Sequence, residues 1–120
     1  MNFQQIGNSY ILELEQHEEF AREVKKFCLE HNIKQAKISA FGTINSVTLG
    51  FYNVQSKEYI EQSFHKAFEL VSAIGFLSIQ NNEQILHIHA TITDKDYRAY
   101  GGHLFRAVSS YKIEVIINEF

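Results

Sequence analysis

The sequence predicts an α+β domain with one main helix and a largely antiparallel β-sheet. A single helical pattern occurs near the N-terminus, and the rest of the chain consists of alternating or apolar runs separated by short polar segments. One helix followed by many closely spaced strands is typical of this fold class. The 120 residues are predicted to form one domain, residues 1–120.

The helix is predicted by apolar residues that recur at helical spacing. Glu18 and Glu19 are predicted to lie in its first turn, where acidic side chains favour the helix dipole, and Asn32 is predicted as a left-handed stop. Cys28 is interpreted as a core residue rather than a nucleophile. One face of the helix carries Phe20, Val24, Phe27, Cys28 and His31.

The strands are predicted by alternation and by apolar runs between polar turns. Gly75 falls within a long apolar run, where a glycine predicts a bulge or a bend. The predicted strands cover residues 9–15, 36–41, 46–52, 58–66, 68–79, 85–93, 97–108 and 111–118.

Three histidines in the last predicted hairpin form the candidate metal site. His87 and His89 are two residues apart, so on a strand they point to the same face, with backbone positions roughly 6.6 Å apart. A turn centred on Lys95 places His103 directly opposite His87, with Gly101 opposite His89. Neutral imidazole is a common zinc ligand, so the spacing predicts about one zinc ion per chain.

Two alternatives to this arrangement remain open. A bulge at Gly101 and Gly102 shifts the hairpin register by one residue, and three ordinary half-exposed histidines need no metal at all. His65 lies in another strand and can join the site, although its spacing does not require it. The opposite face of the first hairpin strand is predicted to be core, because it carries Leu86, Ile88, Ala90 and Ile92.

Composition and charge exclude several functional classes. The net formal charge is −3, with 11 basic residues scattered among 14 acidic ones, so we expect weak direct binding to DNA without a partner. No apolar run approaches the roughly 20 residues that span a bilayer. The N-terminus lacks the regions of a secretory signal, and a single cysteine fits a reducing compartment. These features predict a cytoplasmic protein.

Several segments together resemble the PPC domain of plants and prokaryotes. They are Phe68-Glu69-Leu70-Val71-Ser72, His87-Ile88-His89-Ala90 and Gly101-Gly102-His103-Leu104. The two histidine segments are the most specific part of the resemblance and are typical of the prokaryotic branch. The chain differs from the family pattern at two positions. Ala40 stands where a glycine is common, and Phe76 stands where a small or polar residue often follows Gly75.

The resemblance implies a strongly curved sheet, a fold similar to that of acetolactate decarboxylase, and assembly as a homotrimer. It also implies that His87, His89 and His103 hold zinc. Plant members of the family carry AT-hook motifs that contact DNA, and this sequence contains no such hook. A DNA-associated role is therefore implied only through partners.

Two functional classes remain open from the sequence. The first is a trimeric metal-binding module with a regulatory or DNA-associated role. The second is a zinc enzyme, because three protein ligands leave one metal position open. For the enzyme, Glu69 is the candidate catalytic base, and Glu114 is a second strand carboxylate. Arg98 and Arg106 are candidates for holding an anionic substrate, or are simply solvent-facing charges. The sequence names no small-molecule ligand.

Overall fold

The computed structural model describes residues 1–120 and confirms the α+β fold class. One helix accompanies a seven-stranded sheet in which neighbouring strands run antiparallel. In chain order the elements are β1 Asn2–Ile6, β2 Ser9–Leu14, α1 Phe20–Glu30, β3 Ala36–Asn53, β4 Glu58–Phe64, β5 Phe68–Gln80, β6 Glu83–Thr93 and β7 Ala99–Glu119.

Four strands close into a ring, which explains the strong curvature of the sheet. The strand order is β1-β2-β7-β6-β5-β3-β4, and β7 also pairs with β3. Each of β3, β5, β6 and β7 therefore pairs with two others of the group. The strands β2 and β1 continue the sheet from β7, and β4 continues it from β3. A sheet closed in this way has an inner face for the core and an outer face toward solvent.

The core occupies the inner face of the ring and the side of the sheet that α1 covers. Along β6, Ile88, Ala90 and Ile92 are buried, as the alternation predicts, and Leu86 packs against the core. Burial of a side chain such as Ile92 contributes about 1.5–3 kcal/mol. Cys28 is also buried, and burial raises the pKa of its thiol to about 12, which confirms a packing role.

The helix is tied to the sheet by the residue that precedes it. Glu19 is the N-cap of α1 rather than part of its first turn, because its carboxylate accepts hydrogen bonds from the N–H groups of Ala21 and Arg22. The same carboxylate accepts from the N–H of Ala107 in β7 at 2.9 Å. Asn32 follows the helix with φ 56°, as predicted. No helix of the structure is long and apolar enough to cross a membrane.

The number of strands was predicted wrongly at three places. Residues 36–41 and 46–52 belong to the single strand β3, and residues 97–108 and 111–118 belong largely to β7. Register shifts occur in β3 between Ala40 and Gly42 and on to Ser46. Such bulges bend a strand without ending it, so the polar, glycine-containing segment only mimics a turn. The first strand, β1, was missed because all five of its residues are exposed and show no alternation.

Of the bulge or bend predicted at Gly75, the bulge is wrong. Gly75 pairs regularly with Ile38 of β3 and Ile88 of β6, and the bulge in β5 lies between Leu70 and Ser72. A Cβ atom on Gly75 would collide with the carbonyl oxygen of His87. Glycine at this position therefore lets β6 approach β5 closely where β6 carries its histidines.

Candidate metal centre

The hairpin between β6 and β7 positions the three histidines, in a register that differs from the predicted one. His103 lies opposite His89 rather than opposite His87, and Gly101 lies opposite Thr91. The pairing continues through Gly101 and Gly102 without a bulge. The observed pairing is therefore shifted by two residues relative to the pairing that a turn centred on Lys95 would give.

The turn itself explains the shift. Asp94 and Arg98 close it, with the N–H of Asp94 donating to the carbonyl oxygen of Arg98 at 3.0 Å, so its centre is Asp96. Tyr97 adopts φ 64°, a left-handed conformation that Tyr rarely takes and that the sequence does not predict. The Asp94 carboxylate accepts from the N–H groups of Asp96 and Arg98 at 2.9 and 3.0 Å.

These hydrogen bonds also affect the ionisation of the turn carboxylate. Burial acts to raise the pKa of Asp94, but the two backbone N–H donors and the Lys66 ammonium 3.9 Å away hold it below its usual range. The carboxylate is therefore charged at neutral pH and supports the turn that aligns β6 with β7.

Because side chains alternate along a strand, a shift of two residues keeps every side chain on its predicted face. His87, His89 and His103 project from the outer face of the ring, where the first two are exposed and the third is partly buried. The ring centroids of His87 lie 5.1 Å from His89 and 5.2 Å from His103, and those of His89 and His103 lie 5.9 Å apart. One ligand nitrogen from each of the three lies within 4.8 Å of the others.

This donor set fits a single metal ion. Zinc–nitrogen bonds of about 2.0–2.1 Å place tetrahedral ligand nitrogens roughly 3.3 Å apart, somewhat closer than the 4.8 Å limit found here. His87 and His89 are exposed, so their side chains have room to rotate toward a shared ion. No cysteine or carboxylate joins the cluster.

The protonation state of His103 suits metal binding. Burial, and then the charges of His87 and His89, lower the pKa of His103 below its usual value. Only the neutral imidazole offers a free nitrogen to a metal ion, so this environment favours the form that a ligand requires.

An aromatic wall supports His103 from the side of β4. The Tyr59 hydroxyl lies 3.4 Å from Nδ1 of His103, at the long end for a hydrogen bond, and this contact leaves Nε2 free. The Phe105 ring lies 4.4 Å from the His103 ring, and the Tyr59 and Phe105 rings cover Gly50, where any side chain would meet them. The sequence gives no signal for Tyr59, because it lies in another strand, 44 positions before His103.

The other predicted histidines lie elsewhere. His65 contacts the Ser46 hydroxyl through Nδ1 at 3.2 Å and does not belong to the cluster. His31 follows the helix and donates from Nδ1 to the carbonyl oxygen of Phe27.

The charged residues proposed for catalysis also lie apart from the three histidines. Glu69 pairs with Thr93 and lines a separate cavity of ≈ 360 Å³ together with Asp94 and Tyr111. Glu114 lies opposite Phe41 and Glu13, Arg98 ends the hairpin turn, and Arg106 donates to the Ser46 hydroxyl at 2.9 Å.

A groove borders the histidines on the side of β5. It has a volume of ≈ 490 Å³, and no acidic residue lines it. The sequence does not reveal it, because its walls come from three different strands. The groove is lined by Lys37, Ile74, Gly75, Phe76, His87 and His89.

The Plants and Prokaryotes Conserved (PCC) domain profile matches residues 1–120. No curated protein matches the sequence. Among solved structures, a candidate DNA-binding protein of Bacteroides thetaiotaomicron is 31% identical, with a TM-score of 0.95 over 99% of this chain and 83% of that chain. A metal-containing protein of Archaeoglobus fulgidus is also 31% identical, with a TM-score of 0.88 over 99% of this chain and 84% of that chain.

A plant- and prokaryote-conserved protein of Pyrococcus horikoshii is 27% identical, with a TM-score of 0.88 over 98% of this chain and 81% of that chain. Acetolactate decarboxylase of Bacillus subtilis is a more distant match at 17% identity. Its TM-score is 0.62 over 92% of this chain and 52% of that chain. The likeness to acetolactate decarboxylase shows a shared fold alone.

Proposed function

The chain belongs to the Plants and Prokaryotes Conserved domain family, and on that premise we propose that it is a zinc-binding protein that assembles as a homotrimer. His87, His89 and His103 hold one zinc ion in each chain. The observation that carries the proposal is the convergence of their ligand nitrogens within 4.8 Å of one another. The relative of Archaeoglobus fulgidus is a metal-containing protein, which supports metal binding here as well.

Zinc is the metal that the donor set favours. The site consists of three imidazole nitrogens, which are donors of borderline softness, and it contains no thiolate or carboxylate. Such a donor set suits zinc with tetrahedral geometry. Bound zinc supplies a Lewis acid with one open position. The three histidines supply the neutral donors, Tyr59 contacts the remaining nitrogen of His103, and the Phe105 ring packs against that of His103.

The metal proposal is tested by elemental analysis of untagged protein, since a polyhistidine tag binds metal itself. We expect about one zinc per chain, and loss of that zinc in His87→Ala, His89→Ala and His103→Ala. His65→Ala is the matched control, because His65 lies outside the cluster and its variant should keep its zinc. Undiminished stoichiometric zinc in all three cluster variants would overturn the assignment.

Exposed apolar side chains support the homotrimer. The hairpin of β3 and β4 presents Phe51 and Ile60, which pair with each other and are 68% and 61% exposed, and its turn carries Val54, which is 73% exposed. Single exposed apolar residues are ordinary, but a contiguous patch on a small protein is typical of a contact with another chain.

Light scattering at micromolar concentration tests the assembly. Three chains of 13.9 kDa give a mass of about 42 kDa, and Ile60→Ser should shift that mass downward. Thr48→Ser, at a half-buried position of the neighbouring strand β3, is the control. A stable monomer of the unmodified chain would contradict the proposal.

Direct DNA binding is expected to be weak. Acidic residues outnumber basic ones, 14 to 11, so three chains together carry a formal charge of −9, three times −3. Even proteins with several phosphate contacts bind nonspecific DNA with dissociation constants of about 10⁻⁴ to 10⁻⁶ M. Fluorescence anisotropy near 0.15 M salt should show no sub-micromolar binding. Tight, salt-sensitive binding would instead reveal a basic surface that the net charge conceals.

A zinc enzyme is the second candidate function, and it is favoured by the groove beside a three-ligand site. Structural zinc sites usually have four protein ligands, whereas catalytic sites keep one position open. Cobalt-substituted protein tests the difference, because its visible spectrum should change when azide is added if the fourth position is accessible. A spectrum that does not respond indicates a closed site and argues against catalysis at this ion.

A further inference from the structure

The groove beside the histidines has an ordered arrangement of side chains across three strands. His87 of β6 pairs with Phe76 of β5, and Phe76 pairs in turn with Lys37 of β3. His89 similarly pairs with Ile74. Two of the candidate metal ligands therefore form one edge of the groove, two apolar side chains form its middle, and a lysine forms its far edge.

The middle of the groove is apolar and open to solvent. Ile74 and Phe76 are 50% and 56% exposed on the outer face of the ring, and the ring of the C-terminal Phe120 lies 6.2 Å from that of Phe76. Gly75 lies between them and also lines the groove, at a point where the β5 backbone approaches β6 closely. Small-molecule sites are mainly apolar with a few polar groups that fix orientation, and the volume of ≈ 490 Å³ lies within their usual range.

Lys37 makes the far edge of the groove cationic. Lys37 is exposed and forms no ion pair, since the three ion pairs of the structure join Met1 to Glu18, Lys66 to Asp94 and Lys112 to Glu13. No acidic side chain lines the groove. A zinc ion held by the histidines would add two positive charges at the opposite edge. An anion with an apolar body is therefore complementary in both charge and polarity to this surface.

We propose that the groove binds a small organic carboxylate with an apolar body. This inference rests on the proposed zinc site. The carboxylate takes the metal position that the three histidines leave open, and the apolar body packs against Ile74 and Phe76. Lys37 lies two strands from His87, roughly 9–10 Å away at 4.7–4.9 Å per strand. Its charge therefore attracts the anion over a distance that physiological salt screens only in part.

Isothermal titration calorimetry of the zinc-loaded protein tests the proposal with three probes. Hexanoate carries both features, acetate carries the carboxylate alone, and hexan-1-ol carries the apolar body alone. We expect acetate and hexan-1-ol each to bind about tenfold or more weakly than hexanoate, because each lacks one of the two contributions. Metal-free protein should bind hexanoate about tenfold or more weakly as well.

Variants separate the contributions within the groove. Lys37→Gln should weaken hexanoate binding about threefold, as expected for a partly screened charge across the groove. Lys34→Gln is the matched control, because Lys34 is exposed nearby but does not line the groove. Phe76→Ser should weaken hexanoate binding about tenfold while the zinc content stays unchanged.

The possible failures are distinguishable, because zinc content is measured on each sample. Zinc-loaded protein that binds hexanoate no better than hexan-1-ol, or no better than metal-free protein, overturns this inference and leaves the zinc site intact. Failure to take up zinc overturns both proposals. A third outcome is that unmodified protein does not bind hexanoate and that Phe76→Ser dissociates the assembly. The groove is then a contact between copies of the chain, and the carboxylate site is overturned.

Discussion

The two faces of β6 have different roles, although their residues alternate along a single strand. On the inner face, Ile88, Ala90 and Ile92 are 1%, 6% and 0% exposed and belong to the core. On the outer face, His87 and His89 are exposed and converge with His103 of β7. The inner face contributes to stability through burial, which depends on volume and polarity rather than on exact chemistry.

The outer face is expected to contribute little to folding, and its histidines are the proposed metal ligands. Substitutions of exposed side chains away from specific contacts usually change the free energy of unfolding by no more than about 0.5 kcal/mol. The comparison therefore predicts that substitutions on the two faces of β6 have separable effects, one on folding and the other on the metal.

The largest effect is expected on the inner face. Ile92→Ala should lower the free energy of unfolding by about 2–5 kcal/mol, because it leaves a cavity among fully buried neighbours. Urea unfolding of metal-free protein at a fixed protein concentration measures this change. Thr91→Ala, on the adjacent exposed position, is the control and should differ from wild type by less than about 0.5 kcal/mol. Equal losses in both variants would contradict the separation of the two faces.

The second effect is expected on the outer face. Zinc at a hundred times its dissociation constant should stabilise wild-type protein by about 2.7 kcal/mol, since it binds only the folded state. His89→Ala should lose this increment while its metal-free stability stays within about 0.5 kcal/mol of wild type.

Urea unfolding with zinc and with a chelator measures the increment. His65→Ala serves as the control because it should retain the full effect of zinc. A zinc-dependent increment that survives in His89→Ala would show that the ion is held elsewhere.

A smaller effect is expected from the aromatic wall, which belongs to neither face of β6. Tyr59→Phe removes the hydroxyl near Nδ1 of His103 and should weaken zinc binding by about tenfold, or ~1.4 kcal/mol. Competition with a chromophoric chelator measures the affinity. Tyr52→Phe is the matched control, since its ring packs on Tyr59 at 5.0 Å without reaching the histidines. Identical affinities for the two variants would exclude a role of Tyr59 in orienting His103.

The smallest effect is expected at the turn that aligns the two histidine strands. The pKa of Asp94 is lowered in the folded protein, so the folded state holds its proton less tightly than the unfolded chain. Its contribution is fully present above the unfolded pKa of about 3.9 and is lost as the pH falls through the folded pKa. The stability difference between wild type and Asp94→Asn should therefore be positive at pH 7 and shrink in acid.

Denaturant unfolding of both proteins between neutral pH and pH 3 measures this difference, with Asp96→Asn as the control. The Asp96 side chain accepts none of the hydrogen bonds that close the turn. A difference between wild type and Asp94→Asn that does not change with pH would show that the Asp94 charge does not stabilise the hairpin.

The hairpin illustrates how far reasoning from the sequence reaches. The turn was centred one residue too early, on Lys95 rather than Asp96, which shifted the predicted pairing by two residues. The face of each histidine was still predicted correctly, because side chains repeat every two residues along a strand. The positive φ of Tyr97 determines where the turn is centred, and no residue preference predicts it.

Strand continuity could not be predicted from local sequence. The segment between residues 41 and 46 combines a glycine with polar residues, which is typical of a turn. In the structure β3 continues through it by means of bulges, because β5 and β7 hold the strand from both sides. Long-range pairing therefore overrides a local preference at this point.

The sequence by itself determined the α+β class, the buried face of α1, the inner face of β6 and the shared face of the three histidines. These features follow from periodicity along one stretch of chain, which local spacing records. Only the tertiary structure decided that β3, β5, β6 and β7 close into a ring and that Tyr59, Lys37 and Phe76 border the histidines. Those neighbours come from strands distant in sequence, and their proximity depends on pairings that no local pattern encodes.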